Sequence, residues 1–395
     1  MHIYNMKEKI VLAFSGGLDT SFCVKYLTEE KDLEVYSVFV NTGAFDKQEE
    51  DQIREKAIAL GVKQHKTINI SKRYYQECIR YLIFGNMLRN KTYPMSVSSE
   101  RTFQAIAVAE YARDQGINKL AHGSTGAGND QVRFEMIFYI LVPEMEVIAP
   151  VRELGLSRQQ EIDYLKKHNV KDTFKKYEYS INKGLWGTSI GGKETLTSDK
   201  GLPETAYPGQ MEISDPIDIE VEFNKGEPVG GIETIRNMNK WGSAYAIGRG
   251  IHVGETIIGI KGRVGFEAAG PIMILQAHHA LEKHVLTKWQ IYWKDQLSEW
   301  YGMMLHDGHL LDPVMRNIET FLKDTQETVT GKVSLKLRPY SCSVEGVSSP
   351  YDLMNTSGAK YGEIQNGWTG EDVKGFTRIS SNPLKIYYSL NKFRI

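Results

Sequence analysis

The sequence predicts an α/β protein with three regions: an N-terminal parallel-sheet domain over 1–171, a second α+β domain over 172–370 and a short tail over 371–395. Two observations carry this. From Lys9 to about Val151, short apolar runs of strand length alternate with helical patterns, as parallel strands joined by crossover helices require. Past Asp172 the texture changes: Gly, Thr, Pro and aromatics are frequent through Gly209, and period-two alternation follows. A chain of 395 residues also exceeds one ordinary core.

The expected strands of the first region are Ile10–Phe14, Val35–Asn41, Lys66–Ile70, Lys119–His122 and Val147–Val151. Between them helices are expected at Thr20–Glu30, Gln48–Leu60, Tyr74–Phe84, Ser98–Gln115 and Asn129–Leu141, with Gly61 and Gly116 as stops. Ser157 and Gln160 form a capping box for a further helix through Lys167. In the second region Ile217–Phe223 and Lys332–Leu337 alternate as strands, while Ala277–Lys288 and Leu311–Lys323 read as helices. The last stretch, Ser380–Ile395, is aromatic and basic and suits packing on a neighbouring subunit.

Composition excludes several classes. With 48 basic against 49 acidic residues the net charge is −1, which gives no electrostatic footprint for nucleic acid. No apolar run reaches the roughly 20 residues of a membrane span, and Met1 to Glu8 is polar, without a signal-type apolar region. A cytoplasmic protein is expected. Cys23, Cys78 and Cys342 form no CxxC, so neither a disulfide framework nor a structural zinc is expected. Cys23 reads as a small apolar residue of the first helix, beside Phe22 and Tyr26.

The stretch Ser15-Gly16-Gly17-Leu18-Asp19-Thr20-Ser21 follows the first strand and opens the first helix. Glycines let backbone N–H groups approach an anion, the helix N-terminus adds partial positive charge, and the hydroxyls of Ser15, Thr20 and Ser21 are further donors. Asp19 beside a polyphosphate is repulsive unless a divalent cation intervenes, which implies Mg²⁺. There is no Walker A pattern. This SGG-x-D-[ST]-S string resembles the PP-loop of the ATP pyrophosphatases, which implies a domain of the adenine-nucleotide α-hydrolase type.

A second loop, His122-Gly123-Ser124-Thr125-Gly126-Ala127-Gly128-Asn129-Asp130-Gln131-Val132-Arg133-Phe134-Glu135, follows the strand at Lys119. It offers an amide, a carboxylate and a guanidinium close together, equipment for holding an amino acid by both ends. Together the two strings resemble the argininosuccinate synthase family. Weaker similarity continues through Tyr179–Ile181, Leu185–Ser189, Ile258–Arg263 and Gly331–Leu337, so that it spans both domains.

The resemblance implies condensation of citrulline with aspartate at the expense of ATP, giving argininosuccinate, AMP and pyrophosphate through a citrullyl-adenylate. It carries ATP contacts to Ala13, Phe14, Ser15, Gly16, Gly17, Leu18, Asp19, Thr20, Ser21, Val40 and Gly123. Citrulline contacts fall on Tyr93, Ser98, Asn129, Arg133, Ser180 and Ser189, and aspartate contacts on Thr125, Asn129 and Asp130. Candidate catalytic residues are Ser15, Asp19 and Asp130, with Asp19 the metal ligand; a homotetramer is also implied. The chain departs from the family pattern at Ala127, where Lys is usual. It departs again at Gly254, where Glu is usual, at Phe266, where Tyr is usual, and in lacking Ala-Arg-Pro after Tyr93. Glu255 is then the candidate carboxylate for a substrate ammonium, with Phe266 lining the same place.

Other clusters carry less. His278, His279 and His284 share a helix-like stretch, but no carboxylate pattern completes a metal site. Trp289, Tyr292, Trp293 and Trp300 have near-helical spacing and suit a core or subunit interface. Two other readings compete. Another PP-loop ligase acting on tRNA would need a basic surface, or a reactive Cys pair for sulfur insertion. A non-catalytic nucleotide sensor would not need Thr125, Asn129, Asp130 and Arg133.

Overall fold

The structure is a computed structural model and describes residues 7–170, 179–355 and 367–391. The expected boundary at 171/172 and the last four residues of the tail lie outside the described residues. Contacts divide the chain into one unit over Met1–Ser349 and another over Pro350–Ile395.

The chain opens with β1 (Lys9–Ala13), α1 (Leu18–Glu29), β2 (Glu34–Asn41), α2 (Lys47–Leu60) and β3 (Gln64–Asn69). Asp46 and Glu49 close a capping box on α2, and Gly61 ends it at φ +99°. The helix expected over 74–84 is broken. It forms α3 (Ser71–Tyr74), a π-turn (Tyr75–Ile79) and α4 (Arg80–Phe84), and the wider turn allows adjacent Tyr74 and Tyr75 both to be buried. Then come α5 (Ser96–Asp114), β4 (Lys119–Ala121), α6 (Asp130–Leu141) and β5 (Glu146–Ile148). The last strand stops short of Val151 because Pro150 takes the first position of α7 (Pro150–Glu153), where its missing N–H costs nothing. The capping box Ser157–Gln160 opens α8 (Arg158–Lys167) as expected.

These strands form one parallel sheet in the order β3-β2-β1-β4-β5. Ile10, Val11 and Leu12 are fully buried, as a strand covered on both faces must be. The strand order reverses between β1 and β4, so the loops leaving their carboxyl ends border one crevice.

In the second region β6 (Ser180–Asn182) and β7 (Thr188–Gly191) precede β8 (Ile217–Asn224), β9 (Glu227–Pro228), α9 (Ile232–Ala244), β10 (Arg249–Glu255) and β11 (Lys261–Glu267). The helix expected over 277–288 is in fact parts of two, α10 (Ala269–Val285) and α11 (Lys288–His306), because extended Thr287 caps the second through the Gln290 N–H. α12 (Pro313–Thr325), β12 (Gly331–Arg338) and β13 (Ser341–Ser348) follow. Two antiparallel sheets result, β10-β11-β7-β6 and β13-β12-β8-β9. One apolar core runs from Val11, Val38 and Phe103 to Val221, Ile274, Leu322 and Val333, joining the parallel sheet to this second region. A smaller core lies under α1 and holds Phe22 and Cys23, whose thiol burial pushes well above its ordinary range. Trp289, Tyr292, Trp293 and Trp300 are exposed on α11 and take no part in the core.

The C-terminal unit contains α13 (Gly370–Ser380), capped by Thr369 with Asp372, and α14 (Asn382–Asn391). Neither helix buries a residue, and Phe376, Ile379, Leu384 and Leu390 are exposed.

Candidate active site

After β1 the Phe14 N–H still donates to the Val38 carbonyl at 2.9 Å, and the chain then turns through Gly16 at φ +78° into α1. Gly17 caps that helix with no side-chain acceptor, so no cap competes with a ligand for the N-terminal end of α1. Ser15 Oγ lies 3.2 Å from Thr20 Oγ1 and accepts the Gly17 N–H at 3.3 Å, which folds the loop over the helix end. Ser21 is committed to that turn: it is buried and its hydroxyl donates to the Gly17 carbonyl at 2.7 Å. Ala13 ends β1 and Val40 is the last residue but one of the neighbouring β2.

Asp19, in the first turn of α1, is hydrogen-bonded to the carboxyl of Glu161 from α8. Burial raises the pKa of both, and their mutual repulsion helps push Glu161 to about 8, with Arg158 the opposing cation. Glu161 is 2% exposed and its Oε2 has no hydrogen-bond partner among the described residues. Paired carboxyls with an open oxygen beside an anion-binding helix end are a donor set suited to Mg²⁺, which takes one or two carboxylates plus phosphate oxygens and water. Among the described residues no group of three acidic, His or Cys side chains offers a self-contained metal cage.

The second loop packs onto the first. An added Cβ on Gly123 would stand 3.1 Å from Thr20 Cγ2 and 3.2 Å from both the Asp19 carbonyl carbon and the Thr20 nitrogen, so any side chain there would press the two loops apart by a few tenths of an ångström. His122 accepts the Ser124 N–H on Nδ1 at 3.2 Å and faces Glu135 with Nε2 at 3.2 Å, which makes Nε2 the donor. Burial would raise the Glu135 carboxyl, but His122 and Arg152 hold it down at about 2. Gln131 donates to the carbonyls of Gly126 and Gly128, leaving Thr125 exposed at the loop tip.

Beyond this loop lies a charged cluster. Asp130 accepts from Arg133 Nη1 at 2.8 Å on one oxygen and from Arg101 Nε at 2.9 Å on the other. Burial opposes its ionisation, yet the two guanidiniums keep it below the ordinary range. Arg133 also donates from Nε to the His306 carbonyl at 2.9 Å, and Arg101 reaches Asn182 of β6 at 3.0 Å. Asn129 accepts the Ile257 N–H at 2.9 Å, tying the β10–β11 turn to the loop. Tyr93 is buried, accepts from Ser96, stacks on His252 at 5.3 Å and contacts Phe266 at 5.5 Å.

The predicted residues therefore separate. Ser15, Asp19, Thr20 and Gly123 meet at the crevice, while Tyr93, Asn129, Asp130, Arg133 and Phe266 meet at the cluster. Ser189 joins the cluster through its strand partners Phe266 and Asn182. Ser98 donates to the Met95 carbonyl at 3.2 Å, and Ser180 is exposed at the start of β6. Glu255 is not brought in: alternation along β10 turns it outward, where it pairs with Lys261 at 3.1 Å. Glu161, Arg101 and His252 escaped sequence reading, since each lies far along the chain from its partners and no spacing marks it.

A family model described as the arginosuccinate synthase N-terminal HUP domain matches residues 9–171, and one described as the arginosuccinate synthase C-terminal domain matches 179–387. The chain is 35% identical over 382 residues to an argininosuccinate synthase of Dictyoglomus thermophilum, covering 94% of this chain and 96% of that protein. It is 36% identical over 358 residues to that of Methanocaldococcus jannaschii, covering 88% and 90%. With that of Xylella fastidiosa it shares 33% identity over 399 residues, covering 98% of each.

Proposed function

The chain belongs to the argininosuccinate synthase family, and from that premise we propose how its residues divide the work of joining citrulline to aspartate in arginine biosynthesis. It is a ligase, with ATP as co-substrate. A ureido oxygen is a poor leaving group, so in our reading it first attacks the α-phosphate of ATP and pyrophosphate departs into the Ser15–Ser21 cradle. The aspartate amine then attacks the activated carbon and AMP departs. No covalent enzyme intermediate is needed; positioning and charge stabilisation suffice.

The observation that carries this division is the seating of Gly123 on the Asp19–Thr20 backbone, which supports one continuous site running from the phosphate cradle to the Asp130–Arg133 cluster. The N-terminal end of α1, with Ser15 and Thr20, receives phosphate oxygens. Asp19 and Glu161 would hold Mg²⁺, which neutralises phosphate charge when bound. Arg133, Tyr93 and Ser189 orient citrulline, with Ser98 on α5 and Ser180 on β6, the strand paired with that of Ser189. Thr125 and Asn129 serve aspartate. Asp130 acts by fixing Arg101 and Arg133, since both of its oxygens are engaged.

The wider proposal keeps 1–171 for the nucleotide, 172–370 for the synthetase half and 371–395 for assembly into a homotetramer, in the cytoplasm. Exposed apolar residues on α13 and α14 support assembly. Among the described residues no helix is long and apolar enough to cross a membrane.

Pyrophosphate release requiring ATP, citrulline and aspartate together tests the activity, and Asp19→Asn should abolish it without unfolding the protein. Label scrambling in ATP carrying ¹⁸O at the α–β bridge, with citrulline alone, tests the division. It should survive Thr125→Ala and fall tenfold or more in Arg133→Ala, because a lost charge-assisted contact costs about 1.5–3 kcal/mol. The opposite pattern would exchange the two substrates.

A further inference from the structure

Three buried polar atoms of the charged cluster have no hydrogen-bond partner among the described residues: Arg133 Nη2, Arg89 Nε and His252 Nδ1. Arg133 and His252 are 3% and 6% exposed, so water does not readily serve them. The three belong together. Tyr93 stacks on His252 and feels the charge of Arg133, while Arg89 and His306 both act on His252, and Arg133 holds the His306 carbonyl. A buried donor left unpaired is costly, and the two guanidinium N–H groups, beside an imidazole nitrogen that one tautomer makes a third donor, match a ligand that brings acceptors.

The charges select the kind of acceptor. Arg89, Arg101 and Arg133 stand against Asp130 and Asp307. Both Asp130 oxygens are taken by guanidiniums, and Asp307 takes His306 at 2.7 Å with Arg89 3.9 Å away. The cluster thus has one positive charge in excess, and both of its carboxylates are already paired with cationic or imidazole donors. On β10 the inward positions are 252 and 254, and position 254 is glycine. An added Cβ there would lie 2.6 Å from His252 Nε2, so the imidazole fills the space that a side chain at 254 would need. Burial, with Arg89 and His306, lowers the His252 pKa to about 4, which leaves that imidazole neutral at pH 7.

We propose that Arg89, Arg133 and His252 form a carboxylate-reading subsite for the amino-acid end of the ureido substrate, with no provision for an α-ammonium. The substrate class is then the ω-ureido carboxylic acids, with or without an α-amine. This rests on the cluster being the seat of citrulline.

Pyrophosphate release with ATP and aspartate, using the full-length protein, compares citrulline with 5-ureidopentanoic acid, which lacks the amine, and with N-carbamoylputrescine, which lacks the carboxylate. The expected kcat/KM for 5-ureidopentanoic acid is within tenfold of that for citrulline, and for N-carbamoylputrescine at least 100-fold lower. A loss above tenfold on removing the amine, or a smaller loss on removing the carboxylate, overturns the proposal. His252→Ala combined with Gly254→Glu should supply an ammonium partner and shift preference towards citrulline by at least tenfold; an unchanged ratio in that folded variant also overturns it. Citrulline KM in Arg133→Ala separates the two levels. If it is unchanged, the seat itself is wrong; if it rises while the analogues fail, only the subsite is.

Discussion

Replacing Glu100 by Gln should stabilise this protein at alkaline pH and leave it nearly unchanged at pH 4. Glu100 lies on α5, is 1% exposed, accepts the Leu185 N–H at 3.0 Å and is hydrogen-bonded to Thr42. It fits only because residue 184 is glycine, where an added Cβ would stand 2.4 Å from Oε1. Burial raises its pKa from 4.5 to about 7, against the attraction of Arg101. The folded state therefore binds the proton more tightly than the unfolded chain. The contribution to stability is full below pH 4.5 and is lost as pH rises through 7. At about 1.4 kcal/mol per pH unit, the gap between these two values costs about 3 kcal/mol at pH 8.5. Gln keeps an acceptor for the Leu185 N–H and cannot ionise. With an unfolding entropy of about 2 cal/mol/K per residue, a chain of this length should gain about 4 °C in Tm. Scanning calorimetry of both proteins across pH 4 to 8.5 checks this. A Tm difference that does not grow with pH, or a variant that melts lower at pH 8.5, would refute the reasoning.

Gly123→Ala should raise the KM for ATP at least tenfold with little change in Tm, because its Cβ would meet the Asp19–Thr20 backbone, which cannot swing aside; unaltered ATP kinetics would separate the two loops functionally. Lys294→Met should lose about 3–5 kcal/mol in urea unfolding, since it leaves Glu282, fully buried at 3.1 Å, without its cation. Adding Glu282→Gln should restore part of that loss, and a single variant as stable as the parent would show that the pair contributes nothing.

Local pattern determined a large part of this protein. The alternation of apolar strands and helices, the capping boxes at Asp46 and Ser157, and the glycine-rich loops at Ser15 and His122 are all readable from neighbours within a few positions. Capping and phosphate cradling depend on adjacent backbone groups, so sequence spacing reports them directly. Pro150 and Thr287 also carried readable signals, and there the longer apolar run outweighed the local stop.

Tertiary structure alone decided which side chains meet. Glu161 reaches Asp19 from another helix, Arg101 and Arg133 grip Asp130 from two helices, and His252 lies on Tyr93 from a strand more than 150 residues away. It also decided that Glu255 faces outward while the next inward position holds no side chain. In a strand, a shift of one residue reverses the face. Whether that face meets a guanidinium or open solvent depends on sheet register and on packing between distant elements, and neither leaves a mark in the order of residues.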